Sequence, residues 1–142
     1  MAMKVMICGS MAFASEMLST KAKLEKLGHI VWVPEDTDVH IKNQEFVDDL
    51  EGNIKYAAET NIMKRCFDLV AKSDAILVLN LKRKGIDGYI GTSALMEIGL
   101  AYYLGKKIFL YNSIPHYNDV RWAHEITIMR PSIINGDINK IQ

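Results

Sequence analysis

Residues 75–79 (AILVL) form an unbroken apolar run, opened by Ser73-Asp74 and closed by Asn80. A strand with no polar residue on either side of its pleat has to be covered on both faces. That is the position of a central strand in a parallel sheet, where crossover helices lie above and below. The rest of the chain supplies matching parts. Residues 3–8 (MKVMIC) are a short apolar strand ending at Gly9. Residues 15–27 have the spacing of an amphipathic helix, with Ser15 as its N-cap and Gly28 as its stop. Residues 29–33 are β-branched and aromatic and end at Pro34. Residues 92–104 read as a helix, 107–111 (KIFLY) as a strand, 119–129 as a helix and 132–134 as a last short strand. Strand–helix alternation of this kind predicts an α/β fold with helices on both faces of a parallel sheet. Right-handed crossovers then favour a doubly wound five-stranded order, 2-1-3-4-5, with residues 1–142 as a single domain.

One segment does not fit a plain crossover. Residues 37–72 are longer than a connection between the second and third strands requires. Phe46, Val47, Leu50, Ile54, Ala57, Ala58 and Met63 recur at near-helical spacing, and Gly52-Asn53 is the expected break between two helices. The segment is either a long helix with a ragged start or, in part, a flap over a binding site.

Charge and composition exclude several function classes. Seventeen basic residues balance seventeen acidic ones, so no net field draws the chain to a nucleic acid polymer or a membrane surface. No apolar run reaches the ~18 residues of a membrane span. The first residues lack a signal-peptide layout, because their apolar stretch is short and runs into Gly9-Ser10. Cys8 and Cys66 form no CxxC, and His29, His40, His116 and His124 show no ligand spacing. The expectation is a cytoplasmic chain with buried free thiols, no metal and no resident cofactor.

In an open doubly wound sheet, ligands bind beyond the carboxyl ends of the strands, where the winding reverses. That directs attention to the loops after the first and third strands. The first is Gly9-Ser10-Met11-Ala12-Phe13-Ala14. It is neither GxGxxG nor GxxxxGK[ST], which speaks against NAD, FAD and a P-loop. It can still offer backbone N–H groups, a hydroxyl and a helix start to an anion or a sugar. The second loop, residues 80–91, holds Lys82, Arg83 and Lys84 together with Gly85, Gly88 and Gly91. The three cations suit a phosphate, and the glycines suit close approach of backbone to a ligand.

The helix beyond that loop carries the sharpest signal. Between Gly91 and Gly105 (GTSALMEIGLAYYLG) the sole charge is Glu97. A helix apolar nearly all round is a buried one, so a carboxylate near its start needs a reason. The helix N-terminus would favour an anion there. A carboxylate held in a dry cleft is also the group that attacks a sugar carbon. Gly99 is expected to let this helix pack against a close neighbour.

These residues also carry a family likeness. Cys8-Gly9-Ser10 after the first strand, Ser73-Asp74 before the third, Gly91-Thr92, Met96-Glu97-Ile98-Gly99-Leu100-Ala101 and Gly105-Lys106-Lys107 together resemble the nucleoside 2-deoxyribosyltransferase superfamily, which includes the 2′-deoxynucleoside 5′-monophosphate N-hydrolases. The likeness spans residues 3–111 and is weaker beyond. It implies a flavodoxin-like (Rossmann-like) fold, a homodimer or higher oligomer, and a small-molecule nucleoside or nucleotide as ligand. It implies cleavage of an N-glycosidic bond, by hydrolysis or deoxyribosyl transfer, with Glu97 attacking the anomeric carbon as retaining glycosidases do. Gly9 and Ser10, with Met11 beside them, would meet the sugar or its 5′-phosphate.

The sequence departs from the family pattern at defined places. A tyrosine of the family's first strand is replaced by Met6, and Met11, Ala12, Phe13 and Ala14 stand where the hydrolases carry an arginine and paired glycines. An aspartate expected ahead of the third strand is replaced by Cys66, and an aspartate six residues before the nucleophile by Gly91. No residue is then an obvious acid for the leaving base, and Asp87 on the glycine loop is the best substitute. The expected site therefore consists of Glu97 and Asp87 as catalytic residues. Gly9, Ser10, Met11, Lys82, Arg83, Gly88, Tyr89, Gly91, Thr92 and Asn112 are the expected substrate contacts. The alternative is a non-catalytic nucleotide-binding or regulatory module on the same fold. Glu35, Asp36 and Asp38, just past the second strand, stand where a doubly wound fold could contact a ribose, but they read more readily as a solvated acidic turn.

Overall fold

A computed structural model describes residues 2–142. Five strands, β1 (Lys4–Cys8), β2 (Ile30–Trp32), β3 (Ala75–Val78), β4 (Lys107–Leu110) and β5 (Ser132–Ile133), form one sheet in the order β2-β1-β3-β4-β5. Every pairing is parallel. All four residues of β3 are buried, as a strand with two covered faces requires. The winding reverses between β1 and β3, whose register pairs Val5 with Ala75 and Cys8 with Val78.

The period-two alternation of the strands separates two cores. On one face Met6, Cys8, Ile76, Val78, Ile108 and Leu110 meet α4 (Ile62–Lys72), α5 (Thr92–Tyr103) and α6 (Ala123–Met129). On the other Val5, Ile7, Ala75, Leu77, Leu79 and Phe109 meet α1 (Ala14–Lys26) and the C-terminal Ile134 and Ile141. Met6, where the family has a tyrosine, is fully buried in the first of these cores. Both cysteines are free and buried.

Four local expectations are corrected. Ser15 lies inside α1; the chain enters that helix through a 3₁₀ turn (Met11–Phe13) capped by Ser10, whose Oγ accepts from the Ala12 N–H at 3.1 Å. A short cap by Ser10 competes successfully because its extended backbone already directs the oxygen at the turn. The last helix starts at Ala123 rather than at 119. In the long segment the break falls at Asn61, which adopts the left-handed conformation (φ 54°) between α3 (Leu50–Thr60) and α4. Gly52 instead sits in the first turn of α3, where its N–H bonds to the capping carboxylate of Asp49 at 3.0 Å. Finally, a Cβ at Gly99 would meet nothing within 4 Å. The outer face of α5 around it is exposed, with Met96 41% and Tyr103 85% accessible. Only the stripe Ala94, Glu97, Ile98 and Ala101 turns inward.

Segment 37–72 is therefore not one helix. A short α2 (Thr37–Lys42), a 3₁₀ turn (Gln44–Asp48), α3 and α4 arch from β2 back to β3 over the carboxyl edge of the sheet, and that arch makes the site below.

Candidate functional site

The arch and the sheet edge enclose a cavity of about 680 Å³. That volume lies within the range of small-molecule sites. Its sheet-side wall begins at Gly9, where a Cβ would stand 3.1 Å from Met17 Cε and 3.2 Å from the Leu79 carbonyl oxygen. Glycine lets the end of β1 lie this close to the end of β3. Gly9, Ser10 and Met11 line the cavity from this side; Gly91, Thr92, Ser93, Ala94 and Glu97 line it from the start of α5. The arch closes it with Asp36, His40, Val47, Asp48 and residues of α3 and α4, including Tyr56 and Cys66.

Glu97 is 6% exposed. Among the described residues it belongs to none of the ion pairs. It is the sixth residue of α5, in its second turn, where the helix dipole has largely faded. Burial dominates instead and pushes its carboxyl up to about 7, opposed by a hydrogen bond from the Cys8 thiol and reinforced by the negative charge of Asp36. Burial also raises the Cys66 thiol to about 12, with the Glu97 charge adding to it. The Cys8 thiol is raised as well, again by burial first. Both cysteines are therefore neutral thiols at physiological pH, unsuited to act as nucleophiles.

The glycine loop divides the expected residues. Arg83 and Ile86 exchange backbone hydrogen bonds of 3.1 and 2.9 Å around Lys84-Gly85, both with positive φ, which is the geometry of a tight hairpin. Arg83 faces the cavity, bonds Asp48 of the arch at 3.0 Å and lies 5.7 Å from the centroid of the Tyr89 ring. Tyr89 also lines the cavity. The hairpin carries Lys82 and Asp87 outward: their side chains are 68% and 88% exposed, 3.9 Å apart, and neither lines the cavity. Asp87 is therefore out of place for work beside Glu97. Its position near the loop glycines suggested otherwise, and the left-handed turn that those glycines make is what moves it away.

Gly88 and Asn112 are structural. Gly88 has φ +73°, and a Cβ there would lie 2.4 Å from the Ser113 carbonyl oxygen. Gly88→Ala is expected to cost roughly 1–3 kcal/mol of stability, read as a lower denaturation midpoint; an unchanged midpoint would mean that the Ser113 backbone yields freely. Asn112 clasps the fully buried Asn80: its N–H donates to Asn80 Oδ1 at 2.8 Å, its Nδ2 to the Asn80 carbonyl at 3.1 Å, and Asn80 Nδ2 returns a bond to the Asn112 carbonyl at 2.9 Å. This clasp ties the ends of β3 and β4, leaving Asn112 no part in the cavity wall.

The sequence reading missed a pair. Asp36 and His40 are 7% and 4% exposed, line the cavity, and join through Asp36 Oδ2 and His40 Nε2 at 3.0 Å. The i, i+4 spacing was visible, but a stretch with three acids in four residues reads as solvated. Thr37 stays within the turn after Pro34, donating to its carbonyl from both N–H and hydroxyl. Among the described residues no group of His, Cys, Asp and Glu could hold a metal ion, and no helix is long and apolar enough to cross a membrane.

No protein-family model matches the chain, and no curated protein matches it. Among solved structures the chain is similar to the CMP N-glycosidase BcmB of Clostridium botulinum, at 18% identity over 93% of this chain and 89% of that one, with a TM-score of 0.48. At that level of likeness, any functional reading rests on the geometry of the cavity itself.

Proposed function

We propose that this chain cleaves the N-glycosidic bond of a nucleoside or nucleoside 5′-monophosphate, with Glu97 as the nucleophile. The observation that carries the reading is a buried carboxylate without an ion-pair partner, facing a cavity of nucleotide size at the switch point of the sheet. Departure of a base leaves an oxocarbenium-like sugar, and a carboxylate as buried as Glu97 stabilises that positive charge more than it would in water. Attack by Glu97 Oε on the anomeric carbon gives a glycosyl ester. Water then hydrolyses it, or a second base accepts the sugar. Ser10 and the start of α5 line the same cavity and would hold the sugar or a 5′-phosphate. Arg83 supplies a cation at the same cavity.

The experiment is base release from a panel of 2′-deoxynucleosides, ribonucleosides and their 5′-monophosphates, followed by chromatography. Turnover of at least one member is expected. Stabilisation of the protein by a nucleotide without release of any base would instead favour a binding module on this fold.

A further inference from the structure

The N-glycosidase reading leaves one chemical need open: a departing base carries negative charge and leaves slowly unless it is protonated. Asp87 is in solvent, and burial pushes the Cys66 thiol up to about 12, too weak an acid, so neither supplies that proton. The arch holds a group that can. Asp36 and His40 are both more than nine-tenths buried and both line the cavity that Glu97 lines. Burying a carboxylate and an imidazole together is weak evidence of stabilisation, since desolvation offsets most of their attraction. The pair is also visibly incomplete. Nδ1 of His40 is buried without a hydrogen-bond partner among the described residues, and only Oδ2 of Asp36 is engaged by a side chain. An orphaned buried ring nitrogen is costly, a cost more easily understood beside a ligand site than in a structural core. The pair is held firmly nonetheless. The His40 ring stacks on Phe46 with centroids 5.4 Å apart, and Phe46 meets the edge of Tyr56 at 5.5 Å.

We infer that Asp36 is the acid that protonates the leaving base, and that His40 is the positioning residue that holds its carboxyl and shares its proton; this rests on the N-glycosidase reading. The step balances as follows. The pair enters holding one proton between Asp36 and His40. The C1′–N bond breaks with its electron pair going to the base, and a bond from Glu97 Oε to C1′ forms. The base takes the proton, leaving Asp36 as carboxylate and His40 as neutral imidazole. In the second half, a water oxygen attacks C1′, the ester bond to Glu97 breaks, and the water's proton returns to the pair.

The test compares leaving groups that need protonation with one that does not. The substrates are the best nucleoside or nucleotide from the panel and the matching 4-nitrophenyl 2-deoxyribofuranoside, or its 5-phosphate, which leaves as a stable phenolate. Asp36→Asn keeps the shape of the side chain and is expected to lower kcat on the natural substrate by roughly 10²–10⁴-fold while changing the nitrophenyl rate by less than about tenfold. His40→Gln should show the same selective loss, smaller in size, and carries the comparison where Asp36→Asn does not fold. Glu97→Gln loses both substrates. An Asp36→Asn or His40→Gln variant that loses both substrates equally, or neither, overturns the assignment of Asp36 even with the wild type active. A wild type that turns over neither substrate overturns the N-glycosidase reading, and the acid falls with it.

Discussion

Glu97→Gln is expected to abolish base release, by on the order of 10³-fold or more in kcat, because a neutral amide replaces the nucleophilic carboxylate while the binding surface stays intact. The same variant is expected to be more stable than the wild type above pH 7. The carboxyl titrates near 4.5 when exposed and near 7 in the folded chain, because burial penalises its charge. Between those values the native state keeps a proton that the unfolded state has released, so each step up in pH weakens folding. The contribution is fully favourable below the unfolded value and is lost as pH rises through the folded one. The accumulated cost is about 3 kcal/mol, a sizeable share of a typical domain's stability. Glutamine carries no such cost. Thermal unfolding of the two proteins should therefore diverge from pH 5 to pH 8, with the variant higher, and converge near pH 4. A variant that is inactive but also less stable at pH 8 would mean that Glu97 serves the fold, not the chemistry.

The second large effect is in the pH dependence of turnover. As a nucleophile, Glu97 works only when ionised. With its carboxyl raised to about 7, kcat/KM is expected to climb with pH through that value and to hold until the Asp36–His40 pair gives up its proton. Each unit below costs about tenfold, so activity at pH 5 should be roughly a hundredth of the plateau. The sign separates two chemistries that a buried carboxyl with such a value can perform. If Glu97 were the proton donor and Asp36 the stabilising anion, activity would instead fall as pH rises through 7. A limb falling through 7 in the wild type that persists in the Asp36→Asn variant would reverse the two roles.

Much of the architecture was legible because it follows from apolar pattern alone. The run at 75–79 has no polar side to present to water, so it had to be central, and right-handed crossovers through the flanking helices favoured the strand order. Glu97 was legible for the same reason, as the one charge on an inward stripe of Ala94, Ile98 and Ala101. The rest depended on contacts that no local pattern encodes. Asp36 lies in an acidic turn that would be solvated if α3 and the 3₁₀ turn before it did not arch over it. The residue that packs on its partner His40 is Phe46, which belongs to that arch. Asp87 failed for the opposite reason: it is adjacent to the site along the chain, but the positive φ of Lys84, Gly85 and Gly88 turns the loop outward before position 89 returns to the cavity. Asn112 was correctly put at the carboxyl edge, yet its hydrogen-bonding groups are taken up by Asn80.

The most direct measurement is covalent trapping. The enzyme is incubated with a 2-deoxy-2-fluoroarabinosyl nucleoside or its 5′-monophosphate, whose fluorine destabilises the oxocarbenium-like transition states and slows hydrolysis of the ester. The protein is then digested and its peptides weighed. Nucleophilic attack by Glu97 predicts a mass gain of one fluoropentosyl group on the peptide containing residue 97, absent in Glu97→Gln. Base release without any adduct, or an adduct on another side chain, would contradict the account.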